Sequence, residues 1–274
     1  VYVLDPALIT PPPQLPPMAP ARLWFLVESL VELQQRWRQA GSRLLVLAGD
    51  PVQLLPQLAD LLNAPTVVWS RDVEPYARER DRQVAKALQT DGRKLLVDWD
   101  QLLVAPESLK TGGGDPYRVY GPFLRNWRGQ VERLGPSTTE APQGLQDLTQ
   151  SQLQQISSAE GDLGRLCSQG QSELERLRSN HGFAGTDVCP CRPGEIAAAD
   201  QLAMFADGPL LGYEPDRNFP GQQGTSSLSA ALSVGTVSPR QAWCAAQSAK
   251  EIVRSDEQQH AIKVWEQELG WREF

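Results

Sequence analysis

Short apolar runs alternate with longer stretches of helical spacing over residues 1–128, and only the helical spacing persists toward the end of the chain. Val1-Tyr2-Val3-Leu4 reads as a strand closed by Asp5-Pro6. Leu23, Leu26, Val27, Leu30, Leu33 and Trp37 fall on one helical face, so residues 20–40 are predicted as a helix. Arg43 to Asp50 is then a strand of buried type, Pro51 to Leu62 a helix, Thr66 to Trp69 a strand, Val73 to Leu88 a charged helix and Lys94 to Val97 another strand. This alternation predicts an α/β unit, a parallel sheet with flanking helices. The sheet starts abruptly at residue 1, as if partners should already precede it.

Gly112-Gly113-Gly114-Asp115-Pro116 and the aromatic stretch Tyr117-Arg118-Val119-Tyr120-Gly121-Pro122-Phe123 mark the exit from this unit, with the crossing chain packed down. Residues 130–195 are rich in Gln, Ser, Glu and Gly; helical pieces are expected at 151–155 and 171–177, within a long connector over the surface. From Pro193 the pattern is helical: Glu195 to Phe205, Ser229 to Ser233, a helix opened by Ser238 with Pro239 in its first turn, and a long last helix after Ser255. The predicted layout is an α/β domain at 1–128, a connector at 129–194 and the start of an all-helical domain at 195–274.

Composition narrows the chemistry. With 26 basic against 33 acidic residues, the net charge of −7 means that any nucleic-acid contact must come from a local patch. Cys167, Cys189, Cys191 and Cys244 form no paired framework, and Cys189-Pro190-Cys191 lacks a second pair at zinc spacing. No metal site is expected, and His181 and His260 supply histidine chemistry poorly. The thiols suit a reduced, cytoplasmic protein; no run approaches the ~20 apolar residues of a spanning helix, so no membrane partner is expected. Arg71-Asp72-Val73-Glu74-Pro75-Tyr76 and Asp98-Trp99-Asp100 follow strands, where α/β sheets face ligands, but no Gly-x-Gly-x-x-Gly fingerprint is present.

Two stretches near the end of the chain carry the strongest signals. Gly224-Thr225-Ser226-Ser227-Leu228-Ser229 clusters hydroxyls and amides at a helix start, which suits an anion such as phosphate. In Trp265-Glu266-Gln267-Glu268-Leu269-Gly270-Trp271-Arg272-Glu273-Phe274, helical spacing puts Trp265, Glu268 and Arg272 on one flank with Trp271 beside them. Together they fit a large planar cofactor with phosphates, or, more plainly, a capped amphipathic helix whose tryptophans are core.

These two stretches, with Tyr213, Arg217-Asn218-Phe219-Pro220, Gly235 and Ser238-Pro239-Arg240, resemble the DNA photolyase/cryptochrome family, and most closely the cyanobacterial-type class I cyclobutane pyrimidine dimer photolyases with a deazaflavin antenna. The similarity runs from Leu4-Asp5-Pro6 to Phe274 and is weak only over 136–212, where His181 to Cys191 replace the family's usual approach to the second domain. The resemblance implies a Rossmann-like antenna domain lacking its first strand, then the first part of a helical FAD-binding domain. It thus implies a chain truncated at both ends and inactive alone. The implied activity is light-driven repair of pyrimidine dimers in UV-damaged DNA by reduced FAD, in a monomer. A cryptochrome-like blue-light sensor and a non-functional remnant are the alternatives.

Carried over residue by residue, the resemblance assigns Tyr213, Thr225, Ser226, Ser227, Leu228, Ser229, Trp265 and Arg272 to FAD, and Arg217 to DNA. Glu268 is implied to hydrogen-bond the flipped pyrimidine and stabilise its reduced form, and Trp271 to stack on it. Met18, Arg22 and Asp100 stand in the stretches implied to hold an 8-hydroxy-5-deazaflavin antenna, whereas Ser233 replaces a family lysine that helps to hold it.

Overall fold

The computed structural model describes every residue except 10, 12, 13, 15, 17, 159–161 and 181–190, and gives only the backbone of 162–168 and 180. In chain order the elements are β1 (Tyr2–Leu4), α1 (Pro6–Ile9), α2 (Pro20–Gln39), β2 (Val46–Ala48), α3 (Pro51–Leu61), β3 (Thr66–Ser70), α4 (Pro75–Thr90), β4 (Lys94–Asp98), α5 (Tyr120–Leu134), α6 (Gln150–Ser158), α7 (Asp162–Asn180), α8 (Glu195–Asp207), α9 (Tyr213–Asp216), α10 (Ser229–Val234), α11 (Pro239–Ile252) and α12 (Asp256–Glu273). Short 3-10 turns lie at Pro106–Ser108 and Pro209–Gly212. The expected order of parallel strands with flanking helices followed by a largely helical region is the one observed. The chain divides into two compact units, one of Val1–Asp98 with Ala141–Cys189, the other of Trp99–Glu140 with Pro190–Phe274.

In the first unit the strands pair as two parallel two-stranded sheets, β1 with β2 and β3 with β4. The alternation of side chains along β2 explains its burial on both faces. Val46 packs with Leu4, Leu23, Val27, Leu30, Leu174 and Leu177, whereas the next residue, Leu47, packs with Leu54, Leu58 and Ile156. A third cluster of Ala59, Val84 and Leu88 joins α3 to α4 and takes in Val67 and Leu95 of the second sheet.

Proline sets several of the helix starts. Pro20, Pro51 and Pro75 each occupy the first turn, where the missing N–H has no intrahelical partner to lose. The residue before a proline is held extended, as Glu74 is, so α4 begins at Pro75 and not at Val73. At α3 the Asp50 carboxylate also accepts the Val52 N–H at 2.9 Å.

Residues 150–180 hold more helix than the sequence pattern suggests. Helix α7 runs against β2, and Gly170 permits the approach: a Cβ there would lie 2.1 Å from the Val46 carbonyl oxygen. Among the described side chains of its C-terminal half only Leu174 and Leu177 are buried, a stripe too thin to stand out among Gln, Ser and Glu.

Asp5 ends β1 as a carboxylate only 5% exposed. It accepts the Ala7 N–H at 2.9 Å and the Tyr76 hydroxyl at 2.6 Å, tying the end of β1 to the first turn of α4. Burial, and then this bond, push the Tyr76 hydroxyl up to about 12. A group with a raised folded-state value contributes fully below its unfolded value and loses that contribution as pH rises through the folded one. Replacing Tyr76 by Phe leaves an Asp5 oxygen unpaired and should lower stability at neutral pH by about 1–3 kcal/mol. The deficit should shrink as pH rises from 10 to about 12, where the parent tyrosine ionises. Urea unfolding across that range, with absorbance titration of tyrosinate, measures both; equal neutral-pH midpoints for parent and Tyr76→Phe would refute the role given to this bond.

Candidate functional site

The site belongs to the second unit and is built on α12. This helix packs against α5, α9 and α11 and is buried nearly all round at Ala261, Ile262, Val264, Trp265, Glu266, Leu269 and Gly270. At helical spacing Ile262, Glu266, Leu269 and Glu273 share one stripe, so two acids lie in line with apolar residues. Each has partners. Glu266, 2% exposed, accepts Gln247 Nε2 at 2.7 Å and Lys250 Nζ, and the Arg128 guanidinium stands 3.6 Å away. Glu273 accepts the backbone N–H groups of Leu103 at 2.6 Å and Val104 at 3.2 Å, and the Trp127 indole N–H at 2.8 Å. Burial still pushes the Glu273 carboxyl up, against the pull of these donors. Gly270 lets α12 approach α5: a Cβ there would lie 3.1 Å from Leu124 and 3.4 Å from Trp127.

The other flank of α12 meets solvent. Arg217, which closes α9, donates to Glu268 Oε1 at 2.7 Å, and its guanidinium lies 5.6 Å from the centre of the Tyr213 ring. The two side chains of this pair are 38% and 40% exposed. One turn on, Trp271 is stacked on Tyr120 with ring centres 3.4 Å apart and planes 9° from parallel. The Tyr120 hydroxyl donates to the Gln267 carbonyl at 2.7 Å. Burial, and then the charge of Glu268, raise both Tyr213 and Tyr120, the latter to about 12. Glu268 is therefore within electrostatic reach of both phenols, with Arg217 as its counter-charge.

The hydroxyl-rich segment lies against the same α9. Gly224 packs on Asp216 so closely that a Cβ would lie 2.6 Å from the Asp216 Cβ. Leu228 is buried and Gln201 Nε2 donates to the Ser226 carbonyl at 3.1 Å, which fixes the segment from below. Ser227 takes the left-handed backbone conformation (φ 53°). Thr225, Ser227 and Ser229 are exposed and Ser226 is half-buried, so hydroxyls line the outer side up to the start of α10.

Not every residue singled out in the sequence joins this group. Trp265 is 4% exposed and packs on Phe205, with ring centres 5.3 Å apart; Phe205 in turn meets the edge of Tyr213. Arg272 turns away from Glu268 and donates to the carbonyls of Gln101 and Leu232. Met18 is half-buried against the core of the first unit, and Arg22 is exposed on α2. Asp100 belongs to the second unit, where Arg240 donates to its carboxylate at 2.8 Å, and Ser233 is exposed. His181, Cys189 and Pro190 lie outside the described residues.

The family model for DNA photolyase matches residues 1–143, more than half of the chain. The chain belongs to the DNA photolyase family. Over all 274 residues it is 46% identical to the deoxyribodipyrimidine photo-lyase of Synechococcus sp. strain PCC 6301 and spans 53% of that protein. It is 39% identical to the 31.6 kDa protein in the atpI 5′ region of Synechococcus sp. strain PCC 6716 and spans 88% of it. Among solved structures, the whole chain superposes on 53% of the Synechocystis sp. PCC6803 cryptochrome (25% identity, TM-score 0.73) and on 51% of a class III photolyase from Agrobacterium tumefaciens (29%, TM-score 0.69). The chain thus spans about half the length of most of these photolyase-family relatives.

Among the described residues no helix is long and apolar enough to cross a membrane, and no three His, Cys, Asp or Glu residues stand close enough to hold a metal. Sequence reasoning missed Tyr120, which sits in a stretch read only as packing, and the anchors Glu266 and Glu273. The anchors had a signal: two acids spaced seven apart in a stripe otherwise filled by Ile262 and Leu269.

The buried ionic cluster of Glu266 and the exposed pair of Glu268 should differ in cost on mutation. Glu266→Ala strands two cations against a buried helix and should cost about 3–5 kcal/mol. Arg217→Ala removes a solvent-screened pair and should cost no more than about 1 kcal/mol. Urea unfolding of both variants checks this; a cost for Arg217→Ala matching that of Glu266→Ala would make the exposed pair a structural one.

Proposed function

We propose that this chain supplies part of the flavin-binding and lesion-binding walls of a light-driven deoxyribodipyrimidine photo-lyase acting on cyclobutane pyrimidine dimers in DNA. One observation carries the reading: α12, anchored on one side by the buried Glu266 and the half-buried Glu273, holds an acid, Glu268, and an indole, Trp271, half open to solvent on the other. Arg217 and Tyr120 fix them in place. A carboxylate and a flat aromatic face one helical turn apart recognise a pyrimidine by its edge and by its ring. The kinship with the Synechococcus photo-lyase supports the same reading.

The residues present fit FAD in part. Thr225, Ser226, Ser227 and Ser229 offer hydroxyls on the outer side of a segment fixed beside Tyr213, a donor set suited to a diphosphate. Trp265 contributes from within the apolar shell, through Phe205. Arg272 suits a phosphate poorly, because it is held on two backbone carbonyls, and its part is to secure residues 101 and 232. Reduced FAD, when bound, supplies light-driven one-electron reduction of the dimer. Glu268 would accept the N–H of an extruded pyrimidine and hold the Arg217 guanidinium beside the pyrimidine carbonyl, where the cation favours the negative charge that appears there. Such stabilisation grows with the charge and so acts on rate more than on affinity. Met18, Arg22 and Asp100 remain the residues offered for a deazaflavin antenna, with Asp100 engaged by Arg240 and Ser233 bringing no cation.

The likeness to the Synechocystis cryptochrome favours a second reading, a sensory flavoprotein that binds FAD without repairing DNA. A chimera in which this chain replaces the matching half of the Synechococcus photo-lyase separates the two. Under the repair reading Glu268→Ala should keep its flavin and lose more repair per absorbed photon than dimer affinity. Trp271→Ala should weaken dimer binding by about 1–3 kcal/mol. Repair quantum yields at saturating dimer DNA, beside dissociation constants, measure both. A chimera that binds FAD yet neither repairs nor prefers dimer DNA would favour the sensory reading, and a parental yield for saturated Glu268→Ala would remove the electrostatic role of that residue.

A further inference from the structure

We propose that Tyr120 is a positioning residue that turns Trp271 into a stacking platform for an extruded pyrimidine ring. The inference rests on reading the α12 flank as the lesion-facing one and adds to it a residue from a different part of the chain. Trp271 is 50% exposed although it comes from a helix buried nearly all round. An indole on a helix surface is free to turn about two side-chain torsions, and a stacking surface that turns loses ordering entropy on each binding event. Here one face of the indole is covered by the Tyr120 ring at 3.4 Å and 9°, and Phe274 meets both rings near edge-on, at 5.8 Å from Trp271 and 5.6 Å from Tyr120. The uncovered face is the one open to a ligand.

Tyr120 is itself fixed from two sides. It begins α5, its ring contacts Phe123 of the same helix, and its hydroxyl donates to the Gln267 carbonyl on α12 at 2.7 Å. That carbonyl lies one helical turn before Trp271, so the bond sets the phenol ring at the height of the indole it supports. Close packing at Gly270, where a Cβ would lie 3.3 Å from the Tyr120 oxygen, leaves the phenol little room to move. The platform is therefore a preset stack of two rings, to which a pyrimidine adds a third, with Glu268 one turn away to take the edge of that pyrimidine.

The test uses the chain as it stands, with its eight tryptophans replaced by 5-fluorotryptophan, and a short oligothymidylate with and without one cyclobutane dimer as probes. Trp271→Phe assigns the fluorine resonance of Trp271. That resonance should move in Tyr120→Leu, stay in Tyr120→Phe, and shift on adding oligothymidylate, while the other resonances report an intact fold. Tyr120→Leu should weaken oligonucleotide binding about two- to twelvefold, the range for losing one aromatic pair. Tyr120→Phe should restore most of it. In a Trp271→Ala background Tyr120→Leu should have no further effect. Parental affinity in Tyr120→Leu, an equal loss in the Trp271→Ala background, or a Trp271 resonance unmoved by either probe would each overturn the proposal. Coupling of Tyr120 to Trp271 with equal binding of damaged and undamaged probes would leave the platform standing and refute lesion recognition instead.

Discussion

The second unit depends on the burial of a carboxylate. Glu266 sits in the apolar stripe of α12 at 2% exposure, and an ion there is tolerable only because Gln247, Lys250 and Arg128 surround it. These partners come from α11 and α5, so satisfying one charge fixes the two helices that flank α12. Glu273 repeats the device one heptad on: it takes two backbone N–H groups of residues 103 and 104 and the indole of Trp127. A purely apolar stripe would bury as well but would tolerate sliding along the helix axis. A buried acid tolerates only the register in which its donors reach it, which is why charge, more than apolar area, sets the position of α12.

That register decides what the opposite flank can do. Arg217 and Glu268 form an exposed pair that water and salt screen, so it contributes little to holding the fold. The same helix thus carries a buried acid and a half-buried one that hold structure, and an exposed acid that stability does not require. Burial, and then the charge of Glu268, raise Tyr120 and Tyr213, and the couple with Arg217 keeps a cation within reach of anything bound there. In the function proposed above, what this pair meets is a pyrimidine.

Much of the first unit was legible in the sequence because its signals are local. The helix starts at Pro20 and Pro51 read in place, whereas that at Pro75 reads two residues early, at Val73, and β2 could be read from a run that is apolar at both faces. Pairing is not local, and nothing in the period of β1 to β4 tells that they form two separate two-stranded sheets. Helix α7 reads only as a piece at 171–177 for a similar reason: among its described side chains two buried leucines, with one glycine pressed on a carbonyl, seat it, and neither feature stands out in the sequence. In the second unit the types of the candidate residues were legible and their grouping only partly so. Helical spacing placed Trp265, Glu268 and Arg272 on one flank, but each of the three side chains takes a different partner: Phe205, Arg217 and two backbone carbonyls. Spacing fixes where a side chain leaves the helix, and a long side chain such as that of arginine can still turn to whichever unpaired carbonyls lie near it.

Tyr120 and Arg217 illustrate how a site gathers residues that no single stretch contains. Tyr120 follows a glycine- and proline-rich turn region, and Arg217 closes a one-turn helix packed beside Gly224. Arg217 thus arrives at α12 from an element too short to be stable alone, and Tyr120 from the first residue of the 15-residue α5. Helix α12 acts as the template for both: Glu266 and Glu273 set its register against α5 and α11, and Tyr120 and Arg217 meet the flank that this register presents. Preorganisation follows, because a ligand meeting Glu268 and Trp271 encounters groups whose partners, Arg217 and Tyr120, are already bound to them. The exposed flank can then vary in its chemistry with little effect on the fold, while the buried flank cannot.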